Sequence, residues 1–269
     1  MTHDFFDCID GLESFSIIKD GLYKDTYRCL YKGRRAILSH YQIDINPFNI
    51  DPKREFNLLS SIEQIKLTPE PLFYDEEFKI MIVTEVEGEH ILQSTNRKSL
   101  LSSLAKSLIS LHSYPVDDLD YAFHDSLIAY GRQMENEDEK SVFKAAIELH
   151  DSLSDEHGKY CLCHNDLHPE NVLCSDQIQF IDWEYASLNL PYFDLAYAIE
   201  HFEMSESETL YFLSEYGLAT QDIDIETLEQ FGKLSKYVTL IWLLILNKCY
   251  TIKPSETKLM TSLKTELNV

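Results

Sequence analysis

The sequence predicts an α+β fold, with a small β-rich N-terminal part and a larger, mainly helical C-terminal part. Three observations predict it. Short runs rich in β-branched and aromatic residues fill the first third of the chain, helical periodicities dominate after residue 99, and one apolar hairpin interrupts them between Cys161 and Asp182. At 269 residues the chain is long enough to bury a sizeable core as one large domain or as two lobes.

The elements follow in order. Phe15-Ser16-Ile17-Ile18, Thr26 to Tyr31 and Ala36 to Ser39 read as three strands, joined at Lys19-Asp20-Gly21 and Lys32-Gly33, both turn-like. Pro52 to Ile62 reads as a helix, because Phe56, Leu58, Leu59 and Ile62 make an apolar stripe after a proline-led start. Ile80 to Thr84 is a continuous apolar run, as expected of a central, buried strand. Leu100, Leu101, Leu104, Leu108 and Leu111 recur at steps of three and four, which makes Ser99 to His112 an amphipathic helix ended by Pro115. Arg132 to Lys159 is highly charged, with Val142, Phe143, Ala146, Ile147 and His150 at helical spacing, and the acids from Glu135 to Glu139 suit a solvated helix face or loop. Ser205 and Gly217 cap a further helix, and Glu226 to Tyr250 forms a long, very apolar one.

Composition narrows the partners. A content of 44% hydrophobic and 26% charged residues is ordinary for a soluble globular protein. Against 23 basic residues stand 46 acidic ones, a formal charge of −23. That field repels nucleic-acid phosphate and anionic lipid, so neither is an expected partner, whereas Mg²⁺ and a positively charged organic substrate are attracted. The acidic N-terminus lacks the basic start of a secretory signal, and the longest apolar run, Val238 to Leu246, is too short to cross a bilayer. The six cysteines (Cys8, Cys29, Cys161, Cys163, Cys174 and Cys249) are therefore expected to be reduced and the protein cytoplasmic. Cys161, Cys163 and His164, with Cys174 nearby, invite comparison with a zinc site. Their spacing is not the usual C-x₂₋₄-C, and strand alternation turns Cys161 and Cys163 to one face as small apolar fillers, so core packing is expected.

The chemistry concentrates in CLCHNDLHPENVLCSDQIQFIDWEY, from Cys161 to Tyr185. If Asp176-Gln177 is a two-residue loop, Ser175 faces Ile178 and Asn171 faces Asp182, with Cβ atoms about 4.5–5.5 Å apart. A carboxamide and a carboxylate at that separation suit one hard divalent cation such as Mg²⁺, which takes oxygen ligands. Asp166, five residues before Asn171 in a Pro169-containing segment, is placed to accept a proton from an attacking hydroxyl.

His164-x-Asp166-x-x-x-x-Asn171 followed by Ile181-Asp182-Trp183-Glu184 resembles the catalytic loop and metal strand of the choline kinase and aminoglycoside phosphotransferase superfamily, a relative of the protein kinases. The extension FIDWEYASLNLPYFDLAYAIE is similar to the choline kinase branch. The resemblance runs from about Phe15 to Tyr250 and implies a two-lobed protein-kinase-like fold. Residues 1–88 would be the N-lobe, 84–89 the hinge and 89–269 the C-lobe, with ATP and Mg²⁺ in the cleft. It implies that Asp166 is the catalytic base and that Asn171 and Asp182 hold the metal. Asp194 would brace the catalytic loop and His164 would act as its buried strut. His168 is expected in a loop near the nucleotide.

For the nucleotide, the resemblance implies Lys24 and Thr26 in the phosphate-covering stretch DGLYKDTY, Glu55 on the first helix, and the backbones of Glu85 and Val86 at the adenine edge. One departure stands out. Ser39 occupies the position where relatives carry a lysine or arginine, so Arg28 or Lys24 would have to supply the cation. For the acceptor it implies an aromatic box drawn from Trp183, Tyr185, Tyr192, Tyr197 and Trp242, with Glu184, Glu200 and Glu203 adding negative charge, although aromatics at these spacings are usually core. A small cationic alcohol is the expected acceptor, choline or ethanolamine first, then thiamine, then an aminoglycoside. The missing strand cation also admits a different class, a weakly catalytic pseudokinase that binds nucleotide or metabolite.

Overall fold

A computed structural model describes every residue except 1–5, 7–8, 22, 43–45, 91–95, 116–118, 158, 175 and 218–224. Strands β1 (Leu12–Lys19), β2 (Lys24–Tyr31), β3 (Arg34–Tyr41), β4 (Pro71–Asp75) and β5 (Ile80–Thr84) form an antiparallel sheet in the order β1-β2-β3-β5-β4. The β2–β3 turn is Lys32-Gly33, with both residues at positive φ (49° and 73°), the two-residue hairpin geometry whose twist matches that of the strands it joins. Alternation divides the sheet. Tyr27, Cys29, Tyr31, Ala36, Leu38, Ile80 and Ile82 pack with Phe6 into a small core on one face. Tyr41 and Met81 join the main core with helix α1 (Pro52–Ile62). The Asp51 side chain caps α1 by accepting hydrogen bonds from the amides of Lys53 and Arg54, and Pro52 occupies the first turn.

The chain leaves β5 and crosses to the second part through β6 (Glu89–His90), which pairs with β8 (Val172–Cys174) of the expected hairpin. Gly88 suits this close crossing, because a Cβ there would lie 3.1 Å from the carbonyl oxygen of Cys174 and the backbone would have to give by a few tenths of an ångström. Around the hairpin pack α2 (Arg97–His112), α3 (Phe123–Gly131), α4 (Glu137–His157), α5 (Pro191–His201), α6 (Glu206–Glu215), α7 (Ile225–Cys249) and α8 (Pro254–Leu267). Helix α7 contacts α4, α5 and α8, which explains why its sequence is apolar nearly all round. The short strands β7 (Cys161–Cys163) and β10 (Ser187–Asn189) pair beside the hairpin.

Strands β1, β2, β3 and β5 and the α1, α2, α6 and α7 helices lie where the sequence predicts them, within a few residues. Helices α3 and α8 were not expected. The hairpin register differs by one residue. Val172 pairs with Phe180, Leu173 with Gln179 and Cys174 with Ile178, so residues 175–177 connect β8 to β9 (Ile178–Phe180); Ser175, expected opposite Ile178, lies outside the described residues. Opposed residues share a face, and this register puts Val172, Cys174, Ile178 and Phe180 on the same one. Asn171 is therefore opposite Ile181, whose amide donates to the Asn171 carbonyl oxygen at 3.0 Å, rather than opposite Asp182.

Leu240 of α7 is fully buried in the main core. Leu240→Ala should lower the unfolding free energy by about 2–5 kcal/mol without changing the denaturant slope; a loss below about 1 kcal/mol in urea unfolding would contradict this packing.

Candidate active site

The loop after β7 is held by one buried carboxylate. Asp194, in the first turn of α5, accepts the amide of His164 at 2.9 Å and that of Asn165 at 2.8 Å. The Asn165 side chain donates to the Tyr185 carbonyl oxygen and to Ser187, and its backbone stands at φ 65°. His164 is fully buried; its Nε2 lies 3.0 Å from the Ile181 carbonyl oxygen and its ring packs 4.8 Å from that of Trp183. Burial lowers the His164 pKa, which suits a neutral strut joining the loop to the hairpin.

This scaffold brings Asp166 and Asn171 into contact. The Asn171 amide nitrogen donates to the Asp166 backbone carbonyl at 3.0 Å and to its Oδ2 at 2.9 Å, and the Tyr197 hydroxyl donates to Oδ1 at 2.9 Å. His168 Nε2 lies 3.5 Å from Oδ2. Asp182, one residue beyond Asn171's neighbour Ile181, takes a φ of 65°, in the left-handed region that Asp enters more readily than most side chains. The carboxylates of Asp166 and Asp182 keep 22% and 32% of their side-chain surface exposed, so both can meet a ligand.

The N-terminal sheet closes on this group through Lys24. Its Nζ lies 2.5 Å from Asp182 Oδ1 and 2.6 Å from Glu184 Oε2. Lys24 is the first residue of β2, opposite Tyr41, rather than a loop residue. Ser39 is buried in β3 between Thr26 and Met81, and Lys24 lies on the adjacent strand. Arg28 is engaged elsewhere, 2.7 Å from Glu85. Glu55 is buried rather than solvated. It accepts the Tyr41 hydroxyl at 2.7 Å and the Trp183 amide at 3.1 Å. Of the two residues expected at the adenine edge, Glu85 donates its amide to the Arg35 carbonyl oxygen at 3.1 Å, and Val86 beside it is half-buried.

One lysine faces three acids. Burial opposes the Lys24 ammonium, but the charges of Asp182, Glu184 and Glu55 outweigh it and raise its pKa. Burial also works against the Asp182 carboxylate, yet Lys24 draws its pKa down. Glu184 goes the other way: burial, then the charge of Asp182, pushes it up to about 8 against the pull of Lys24. Asp182 thus keeps its charge, and Glu184 is the acid that takes up a proton first.

The expected aromatic box is rearranged. Trp183 is withdrawn, since it is 1% exposed, donates Nε1 to the Phe180 carbonyl at 2.9 Å and packs on His164. Burying so large a ring against the hairpin stabilises the site from behind. Tyr197 serves Asp166, and Tyr192 stacks on Phe231 with centroids 5.6 Å apart. Tyr185 and Trp242 do meet, the indole donating to the Tyr185 hydroxyl at 3.0 Å. Tyr23, Phe48 and Tyr250 complete the group. The Tyr23 hydroxyl donates to Glu184 Oε1 at 2.7 Å, and Phe48 packs 5.4 Å from Tyr23, 5.5 Å from Trp242 and 6.4 Å from Tyr250. These three were missed in the sequence, although Tyr23 adjoins Lys24. Glu200, also expected near the acceptor, lies 3.4 Å from Lys236.

Comparison with known proteins agrees with this architecture. Residues 14–224 match the phosphotransferase enzyme family, and the chain belongs to it. It is a mixed helix-and-sheet protein of the kinase-like kind. Over 178 residues it is 31% identical to protein LicA of Haemophilus influenzae, an alignment that spans 61% of this chain and 66% of that protein. Among solved structures, choline kinase LicA from Streptococcus pneumoniae superposes with a TM-score of 0.79 at 20% identity, covering 99% of this chain and 97% of that one. A structure of LicA in complex with AMP gives 0.77, also at 20% identity, covering 99% and 96%. No helix among the described residues is long and apolar enough to cross a membrane.

The contact between Asp166 and His168 can be tested alone. Burial lowers the His168 pKa, but the hydrogen bond and charge of Asp166 outweigh it and raise it; His168 in turn holds Asp166 below the usual carboxylate range, against burial. The Asp166 contribution to stability is present above its ordinary pKa and lost as pH falls through the depressed one. The His168 contribution is complete below its ordinary pKa and lost as pH rises through the raised one. The pair is therefore strongest from about pH 4 to about pH 6.5. NMR titration of the His168 ring should show a pKa above the ordinary value in the native protein and a lower one in Asp166→Asn; an unchanged midpoint would remove the contact.

Proposed function

We propose that this protein transfers the γ-phosphoryl group of MgATP to the hydroxyl of a small cationic alcohol, with choline or ethanolamine the first candidates. The observation that carries the reading is the Asp166–Asn171 contact, joined through the Ile181 amide to the chain at Asp182, which Lys24 holds beside an acid flanked by aromatic rings. In this reading residues 1–88 and 89–269 act as lobes about a hinge at 84–89.

The donor set suits Mg²⁺. The nitrogen of the Asn171 amide is committed to Asp166, so its oxygen end is the coordinating atom, and with Asp182 it makes an all-oxygen pair for a hard cation. The ammonium of Lys24 resting on Asp182 is a positive stand-in at the same carboxylate. When bound, the metal supplies neutralisation of the phosphate oxygens, and catalysis in such transfers is mostly positioning and charge compensation. Lys24, long enough to leave Asp182, would take the α- and β-phosphates that Ser39 cannot reach with a charge. Asp166, held by Asn171 and Tyr197, orients the acceptor hydroxyl and receives its proton. The new oxygen–phosphorus bond forms as the bridging β–γ bond breaks and ADP leaves. Glu184, with Tyr23, Tyr185, Trp242 and Phe48, would receive the cationic end of the acceptor, since an aromatic face attracts an alkylammonium ion by about 0.5–2 kcal/mol.

Thiamine and aminoglycosides are the next acceptors by the same chemistry. A binding module without turnover is the rival from another class, and the presence of Asp166 beside the metal pair speaks against it, because a module needs no base.

Product formation across a panel of cationic alcohols tests the reading. Choline or ethanolamine should give phosphorylated product, and Asp166→Asn should reduce the rate by about 10²–10⁴ while nucleotide affinity stays nearly unchanged. Full activity in that variant, or saturable binding with no product from any acceptor, would overturn it. Lys24→Met should raise the KM for ATP at least as strongly as it lowers kcat; an unaltered KM would leave the phosphates to another group.

A further inference from the structure

The cysteine pair set aside in the sequence acquires a third member in the fold. Cys161 and Cys163 alternate along β7 to the same side, both buried, with sulfurs 3.6 Å apart. His112, the last residue of α2, brings an imidazole nitrogen to them, and the three ligand atoms lie within 4.8 Å of one another. No other such group of three exists among the described residues. His164, the histidine adjacent in sequence, is occupied on the other side with Ile181.

We propose that Cys161, Cys163 and His112 form a binding site for a thiophilic divalent cation of the zinc class, separate from the oxygen-lined pair at Asn171 and Asp182. Zinc–sulfur bonds of about 2.3 Å in a tetrahedron set a sulfur–sulfur edge of about 3.8 Å, within a few tenths of an ångström of the observed separation. Two thiolates and a divalent cation form a neutral unit, which a buried position tolerates where an isolated charge is costly. On binding, two S–H bonds break and their protons pass to water, while two metal–sulfur bonds and one metal–nitrogen bond form; nothing is oxidised. His112 holds the Tyr216 hydroxyl on Nδ1 at 2.8 Å and Asp194 on Nε2 at 3.1 Å. Coordination takes one nitrogen, and the partner on the other remains as the outer hydrogen bond that fixes the ring. Such a bond set ties the end of α2 to the strand that leads into the catalytic loop.

The test uses the full chain, reduced and metal-free, in excess Mg²⁺ so that the oxygen site is filled. Titration with Co²⁺ should produce near-ultraviolet thiolate-to-cobalt absorption that saturates at an equimolar ratio and is displaced by Zn²⁺. Cys161→Ser and Cys163→Ser, whose isosteric side chains keep the core filled, should abolish it. His112→Gln should weaken it about tenfold or more, and Cys174→Ser and Cys249→Ser should retain it. Zn²⁺ should also raise the Tm of the native protein and not that of Cys163→Ser. Absence of the absorption in the native protein, or its persistence when both Cys161 and Cys163 are serine, would overturn the proposal and leave the pair as packing. None of these readouts depends on catalysis.

Discussion

The ammonium of Lys24 sits between Asp182 and Glu184 with Glu55 close behind, and the arrangement of the cleft depends on that contact. The lysine comes from the N-terminal sheet, Asp182 and Glu184 from the chain beyond β9, and Glu55 from α1. Charges drawn this far from water are stable only when paired and hydrogen-bonded. Here one cation serves three acids, and burial with the charge of Asp182 pushes Glu184 up to about 8, so a proton on Glu184 relieves part of the mismatch.

The rest of the site is arranged to keep those acids aimed. Asp194 fixes two consecutive amides of the loop after β7, His164 joins that loop to Ile181, and Trp183 fills the space beneath while its amide anchors Glu55. A chain of contacts thus runs from α5 through the loop and the hairpin to α1. Each member is a buried polar group with a partner, the condition under which such networks stiffen a structure. The net charge of −23 and the aromatic groups around Tyr185 act in the same direction, favouring a positively charged organic guest over an anionic one.

Much of this was legible in the sequence, and the exceptions have physical reasons. Asp166 and Asn171 are close by local spacing beside one hairpin, so their contact could be read even though the register was off by one. That slip arose because a loop of two residues and one of three both fit the turn composition, and only the pairing itself, Val172 with Phe180 and Cys174 with Ile178, decides between them. The cation missing at Ser39 was recoverable only as an alternative between Arg28 and Lys24, because which long side chain reaches across a sheet depends on the facing acids. The aromatic group around Tyr185 was the least readable part. Trp183 and Tyr23 look alike in a linear chain, yet one is walled in by Phe180 and His164 and the other turns to Glu184. Helix α8 escaped notice because only Leu263 and Leu267 of its residues are buried, too thin a stripe to give a period. His112 meets Cys161 and Cys163 through tertiary packing alone, and no local spacing announces it.

The central claim is that Asn171 and Asp182 share one cation while Lys24 yields Asp182 to it. A structure with Mn²⁺ and a non-hydrolysable ATP analogue, using the anomalous signal of manganese, tests this most directly. The account predicts a manganese peak bonded to both side chains, with the Lys24 Nζ moved from Asp182 to a phosphate oxygen. Lys24 still resting on both acids, with the metal elsewhere in the cleft or absent, would contradict it.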